Sequence, residues 1–95
     1  ARQLLVEGQP RTLSTVEHAL LSALCARPGE VISRQALFDA SHARDDKVLL
    51  RAVDSAIVRL RRLVESDPAE PRFIQTVRNQ GYVFVPQPRR RLDEC

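Results

Sequence analysis

The sequence has little of what enzymes, metal sites and membrane proteins are usually built from. Its two histidines lie far apart, and CxxC, HExxH, GxSxG and P-loop motifs are all missing. We therefore expect no metal, no cofactor and no catalytic activity. No apolar run approaches the roughly 18 residues of a membrane-spanning helix, and no signal peptide is visible. These absences favour a cytoplasmic binding protein.

Cysteine, methionine and aromatic residues are also scarce. Cys25 falls inside a predicted helix and Cys95 ends a polar segment, so we expect unpaired thiols and a reducing compartment. The sequence contains no methionine, even at position 1, which favours a piece of a longer protein or a processed chain. Only four residues are aromatic, but 43% are hydrophobic, which is enough for one small domain in 95 residues.

Positive charge is concentrated in the second half of the sequence. Residues 1–50 balance six basic against six acidic side chains, whereas residues 51–91 hold nine arginines against four acidic residues. This asymmetry predicts a polyanionic partner for the second half. Of the 15 basic residues, only Lys47 is a lysine. The preference for arginine fits either recognition of the partner or a GC-rich genome.

Turn and capping signals divide the chain into a recognisable order of elements. Gly8-Gln9-Pro10 predicts a turn between two short strands, and Ser14 with Glu17 forms a capping-box pattern. The predicted elements are an N-terminal hairpin from residue 2, a helix to about Ala26, a helix from Ser33 to about His42, a helix over 51–65 and a hairpin over 73–85. The fold class is therefore α+β, a winged helix-turn-helix with three helices, a C-terminal β-hairpin wing and a short N-terminal β-hairpin. We assign 1–86 to this domain and 87–95 to a flexible charged tail.

The helix over 51–65 separates an apolar face from an arginine-bearing face. Residues at spacings of three and four share a side of a helix. The apolar side carries Leu50, Val53, Ile57, Leu60 and Val64. The opposite side carries Arg51, Ser55, Val58, Arg59 and Arg62, with Arg61 at its flank.

An ordinary solvated helix face is the simpler interpretation of these arginines. However, the positions four residues before Arg59, Arg61 and Arg62 hold no acidic partners, and a second basic element follows with Arg78 at its turn. A basic helix beside a basic hairpin predicts binding of duplex DNA, with the helix in the major groove. The alternative is a protein-docking module, whose mark would be an apolar patch on the same face, where only Val58 is apolar.

The segment from about Leu13 to Pro86 resembles the C-terminal effector domain of the OmpR/PhoB family of bacterial response regulators. The resemblance rests on LSTVEHALLSAL, PGEVISRQAL, RAVDSAIVRLRRLVESDP and FIQTVRNQGYVFVP, and it is closer to the OmpR branch. It implies a two-component transcription regulator whose N-terminal receiver domain is absent from this chain. Part of the N-terminal strand platform of such domains is also missing.

The resemblance also implies roles for individual residues. Arg34 and Arg51 would bind phosphate, while Ser55, Val58, Arg59 and Arg62 would lie in or beside the major groove, with Arg61 close by. Arg59 would be the best candidate for base contact. Arg78 would reach the minor groove, and Thr76 and Tyr82 would hold the DNA backbone. A loop within 43–48 would contact RNA polymerase through Arg44, Asp45, Asp46 and Lys47.

The resemblance further implies a second copy of the protein bound head to tail on direct repeats. The sequence departs from the family at three positions: His42 replaces a tryptophan, Ala56 a polar residue, and Asn79 a glycine.

Several side chains have a structural interpretation beside the functional one. Tyr82 is equally well a core residue of the hairpin. Asp54 is expected to accept local hydrogen bonds or to orient an arginine, because an unpaired carboxylate would repel phosphate. Glu65 is placed to pair with Arg61 or Arg62.

Overall fold

The computed structural model describes residues 2–41, 50–88 and 92. Within these residues the elements follow the predicted α+β order of hairpin, three helices and hairpin, with one additional short strand. They are β1 (Arg2–Val6), β2 (Gln9–Leu13), α1 (Thr15–Cys25), β3 (Val31–Ile32), α2 (Arg34–Ser41), α3 (Arg51–Val64), β4 (Ile74–Val77) and β5 (Gly81–Phe84).

The N-terminal strands β1 and β2 form an antiparallel ribbon in which Arg2 pairs with Leu13. Its turn lies one residue earlier than the sequence predicts, because Glu7 (φ 52°) and Gly8 (φ 82°) occupy the two turn positions. Positive φ at both positions is typical of two-residue hairpin turns, whose twist matches that of the strands. Gln9 and Pro10 consequently belong to β2.

The second sheet contains β3, β5 and β4 in that order, so β5 is its central strand. Tyr82 of β5 pairs with Ile32 on one side and with Thr76 on the other. A Cβ atom at position 81 would lie 2.0 Å from the carbonyl oxygen of Ile32. Only glycine permits this close approach, which brings the wing hairpin β4–β5 against the start of α2.

Side chains cap α1, as its capping-box pattern predicts, and also α2. The amide of Glu17 donates to Ser14 Oγ at 3.1 Å, and the amide of Ser14 donates to Glu17 Oε1 at 3.0 Å, which completes the capping box. The hydroxyl of Ser33 accepts from the amide of Ala36 at 3.1 Å at the start of α2. These bonds define where the first two helices begin.

The core lies between the three helices and the sheet formed by β3, β5 and β4. From α3 it receives Val53, Ala56, Ile57, Leu60 and Val64, all with no exposed surface. Phe73, just before β4, and Phe84 of β5 stack with their ring centroids 5.8 Å apart. The apolar side predicted for α3 is thus confirmed, and its opposite side is left at the surface.

Leu92, near the C-terminus, contacts the N-terminal ribbon. Leu92 forms an isolated β-bridge with Val6 and is only 4% exposed, so it adds a side chain to the core. The boundary at residue 86 and the flexible character of 87–95 stay predictions, but Leu92 departs from a purely polar tail.

Cys25 at the end of α1 lies in a disulfide bond, so the expectation of two unpaired thiols is wrong, and the cysteines give no support to the expected reducing compartment. The only other cysteine in the sequence, Cys95, lies outside the described residues. The expectation failed because distance along the chain does not limit which cysteines the fold brings together.

None of the described helices combines the length and apolar character needed to cross a membrane.

Candidate nucleic-acid interface

The exposed face of α3 is a narrow stripe along the helix. It consists of Arg51, Ser55, Val58 and Arg62, all exposed, and we call it the outer stripe. The four positions are separated by four, three and four residues, so they project in nearly the same direction from a helix that turns about 100° per residue. The outer stripe offers two guanidinium groups, a hydroxyl and one apolar side chain to a partner.

Arg59 lies on one flank of the outer stripe and reaches toward α1. Its Nε donates to Glu17 Oε2 at 3.2 Å, while its side chain remains 53% exposed. Glu17 is largely buried and uses its other carboxylate oxygen for the capping box. The predicted base-contacting arginine is therefore anchored to α1, and it is not turned into the core.

Arg61 lies on the opposite flank and reaches toward the wing. Its Nε and Nη2 donate to the carbonyl oxygen of Ile74 at 3.0 and 2.8 Å, and Nη2 also donates to Thr76 Oγ1 at 2.8 Å. Its guanidinium carbon lies 5.5 Å from the centroid of the Tyr82 ring, within the range of a cation–π contact. Arg61 thus ties α3 to both strands of the wing.

Asp54 joins three elements at the N-terminal end of α3. Arg34 of α2 donates to it twice, from Nε to Oδ1 at 3.1 Å and from Nη2 to Oδ2 at 2.6 Å. The Tyr82 hydroxyl of β5 donates to Oδ1 at 2.6 Å. The expectation that Asp54 orients an arginine is confirmed, and the arginine is Arg34.

The environment of Tyr82 keeps its hydroxyl protonated. Burial raises the pKa of Tyr82 to about 12, and the hydrogen bond to Asp54 and the negative charge of that carboxylate act in the same direction. The ring is buried and the hydroxyl is used by Asp54, so the structural interpretation of Tyr82 is confirmed.

A groove separates the start of α3 from the wing turn. It encloses about 530 Å³ and is lined by Arg34, Asp54, Thr76, Val77, Asn79, Gln80, Gly81 and Tyr82. Because the helix and the wing border the same groove, a single elongated partner can contact both.

The wing turn presents Arg78 at the surface. Asn79 adopts a φ of 66° and the amide of Gln80 donates to the carbonyl oxygen of Val77 at 2.9 Å. Asparagine tolerates this left-handed conformation better than most residues, so the turn survives without the glycine of the family pattern.

Sequence reasoning missed the role of Glu65, which is buried at the end of α3. Its carboxylate does not pair with Arg61 or Arg62; it accepts from the amides of Arg72 (2.8 Å), Phe73 (3.0 Å) and Ile74 (2.9 Å). These bonds attach the start of the wing to the end of α3. No local pattern predicts them, because donor and acceptor are separated by a connector that contains two prolines.

Two of the predicted features cannot be located. His42 and the proposed polymerase-contact residues Arg44, Asp45, Asp46 and Lys47 lie outside the described residues. In the part of the chain that the structure describes, no cluster of histidine, cysteine and acidic side chains could hold a metal ion.

Comparison with known proteins relates the chain to transcription regulators. The family model described as "Transcriptional regulatory protein, C terminal" matches residues 8–84. The regulatory protein VirG of Agrobacterium tumefaciens (strain 15955) is 43% identical over 84 residues, which are 87% of this chain and 32% of VirG. Protein PetR of Rhodobacter capsulatus is 45% identical over 83 residues, which are 82% of this chain and 35% of PetR. The chain thus spans about a third of the length of these curated relatives.

Solved structures share the fold. The DNA-binding domain of RstA from Klebsiella pneumoniae, solved in complex with the RstA box, has a TM-score of 0.78 and 36% identity and covers 90% of this chain and 85% of that domain. DrrB, an OmpR/PhoB homologue from Thermotoga maritima, has a TM-score of 0.77 and 34% identity over 84% of this chain and 36% of DrrB. The winged-helix fold predicted from the sequence is confirmed.

Proposed function

Because the chain belongs to the family of C-terminal domains of transcriptional regulatory proteins, of the OmpR/PhoB type, we propose that it binds double-stranded DNA sequence-specifically. The recognition helix, residues 51–65, would lie in the major groove, and the wing, residues 73–85, would lie near the minor groove. The observation that carries the proposal is the outer stripe. Its arginines face away from the protein core, and bonds from Arg59 and Arg61 hold the helix in place on both sides of the stripe.

We expect two kinds of contact with DNA, one to phosphates and one to base edges. Phosphates on either side of the groove would be neutralised by three arginines: Arg51 at the start of α3, Arg34 at the start of α2 and Arg78 in the wing turn. Arg62, Ser55 and the exposed part of Arg59 would read base edges, since a guanidinium pairs well with the acceptors of guanine. Arg61 would act from the flank, because its donors already hold the wing.

Asp54 supports this arrangement in spite of its negative charge. By accepting two bonds from Arg34 and one from Tyr82, it holds a cation and a hydroxyl at the groove between α3 and the wing. Thr76, whose hydroxyl oxygen accepts from Arg61, would then donate its own proton to the DNA backbone from the wing side. Tyr82 would contact the backbone only by releasing its bond to Asp54. The likeness to the RstA DNA-binding domain, which has been solved in complex with the RstA box, supports DNA as the partner.

The full-length protein would carry more than this domain. By its family, it would have an N-terminal receiver domain, bind direct repeats as two copies and act in the cytoplasm. Residues 44–47 would contact RNA polymerase. These partners are proposals that extend from the family to this chain.

Docking to a protein is the weaker alternative. A docking face needs a contiguous apolar patch. Among the described residues of α3, Val58 is the one large hydrophobic side chain that is exposed. It stands among arginines, so the surface favours a polyanion.

Selection from a random duplex pool followed by fluorescence anisotropy tests the proposal. We expect an enriched sequence motif and a log–log decrease of affinity with salt, as phosphate neutralisation requires. Arg62→Ala should weaken binding much more than Arg11→Ala, which also removes one positive charge but from the exposed ribbon strand β2. Failure to enrich any motif, or equal losses in the two variants, would contradict the proposal.

A further inference from the structure

The middle of the outer stripe is occupied by an apolar side chain. Val58 is 46% exposed, and among the described residues only Leu5 and Val31 are comparably exposed large hydrophobics. Neither of those two lies on a helix. Among the described residues, Val58 is therefore the one exposed large hydrophobic side chain on the face proposed to enter the major groove.

The surroundings of Val58 make this position chemically distinct. Ser55 and Arg62 precede and follow it on the outer stripe, and Arg59 and Arg61 on the flanks are engaged with Glu17 and the wing. An isopropyl group has no donor and no acceptor, so it cannot bind phosphate or the polar edge of a base. Its exposure in the free protein leaves apolar surface in water that a partner could cover.

The major groove offers one apolar group for such a contact. Thymine carries a methyl group at C5, whereas the groove edges of the other unmodified bases present donors and acceptors. We propose that Val58 contacts the C5-methyl group of a thymine, so that the preferred DNA site carries a T·A pair facing the middle of α3. This inference rests on the proposed function and adds the identity of one base pair to it.

Replacement of thymine by deoxyuridine tests the inference, because it removes the methyl group and leaves every hydrogen-bonding atom in place. Each thymine of the duplex selected from the random pool would be replaced in turn, and the Kd of the 95-residue chain measured by anisotropy. At one position we expect affinity to fall about fourfold, the ratio that corresponds to ~0.8 kcal/mol for one buried methyl-sized group.

A matched pair of variants assigns the effect to Val58. In Val58→Ala the thymine-to-deoxyuridine ratio at that position should fall close to one. Alanine favours the helix more than valine, so this variant should fold. In Val31→Ala, which makes the same change at an exposed position on β3, the fourfold ratio should persist.

Each outcome has a distinct meaning. If no thymine in the selected duplex responds to deoxyuridine, or if Val58→Ala keeps the full ratio, the inference is overturned while sequence-specific DNA binding stands. If the random pool yields no enriched duplex at all, the proposed function fails, and the inference fails with it.

Discussion

The outer stripe of α3 and its two flanks both carry arginines, and the arginines of the two regions make different contacts. Arg51 and Arg62 on the outer stripe face away from the protein, whereas Arg59 and Arg61 on the flanks bond to α1 and to the wing. Arg61 and Arg62 are neighbours in sequence and both carry a guanidinium, but they face different surroundings.

The difference shows that charge alone does not identify a DNA contact. A guanidinium that bonds to a carbonyl or a carboxylate stabilises the fold, and only its exposed part, as on Arg59, remains available to DNA; one without such a partner among the described residues, as on Arg62, is available to phosphates and bases in full. Stability and DNA affinity should therefore respond to different substitutions on the same helix. The predictions below test that separation, from the largest expected effect to the smallest.

The bonds from the Glu65 carboxylate to the start of the wing should contribute most to stability. Glu65→Ala leaves three backbone amides at the start of the wing without their acceptor, and we expect the free energy of unfolding to fall by roughly 3 kcal/mol or more. Urea denaturation measures this loss. Glu70→Ala, at an exposed position in the same connector, is the control and should change stability by less than about 0.5 kcal/mol. Similar values for the two variants would show that the Glu65 contacts do not hold the wing.

Arg59→Ala should act mainly on base readout. We expect it to cost ~1–3 kcal/mol of binding free energy and to relax selectivity at one base pair. Its effect on stability should be about 1 kcal/mol, because Arg59 is 53% exposed but the Glu17 carboxylate that loses its partner is largely buried. Anisotropy against the selected duplex and its single-base variants measures both affinity and selectivity.

Glu17→Gln separates base contact from the ion pair, since glutamine also completes a capping box. It should leave selectivity in place. A loss of selectivity equal to that of Arg59→Ala would mean that the ion pair, rather than a base contact, carries the effect.

Arg61→Ala and Arg62→Ala form the sharpest matched pair. Arg61→Ala should lower the free energy of unfolding by ~1–2 kcal/mol, because it removes the bonds to Ile74 and Thr76. Arg62→Ala should change stability by no more than about 0.5 kcal/mol but cost ~1–3 kcal/mol of binding free energy and relax selectivity at one base pair. Urea denaturation and salt-dependent anisotropy would be measured on both. The opposite pattern would refute the division between outer stripe and flank.

The link from Asp54 to the wing should appear in a pH titration. Tyr82 is the only tyrosine and the chain has no tryptophan, so phenolate absorbance reports this residue alone. Because the folded-state pKa is raised to about 12 from an ordinary ~10, its contribution to stability is complete below pH ~10 and is lost as pH rises toward 12. The absorbance midpoint should shift down in Asp54→Asn. An unchanged midpoint would exclude Asp54 as a cause.

Sequence reasoning located most of the elements because their signals are local. Ser14 and Glu17 define the start of α1, Ser33 caps α2, and the spacing of Val53, Ile57 and Leu60 predicts the buried side of α3. The same spacing placed Arg51, Ser55, Val58 and Arg62 together on the exposed side. The resemblance added the fold and family, and the comparisons confirm both.

Contacts between distant segments were harder to predict. The pairing of Arg59 with Glu17 spans 42 positions and that of Arg34 with Asp54 spans 20. Asp54 was expected to orient an arginine, but the sequence did not identify which one. The disulfide of Cys25 was missed for the same reason. The acceptor role of Glu65 was missed because its donors, seven to nine positions away, lie beyond the range of helical periodicity and capping patterns.

What the sequence determined by itself is the set of elements and the polarity of each face, because caps, turns and helical periodicity act between residues a few positions apart. Only the tertiary structure decided which arginines of α3 remain free. That choice depends on which carbonyls and carboxylates of α1, α2 and the wing come within hydrogen-bonding distance, and packing brings those groups together from across the chain.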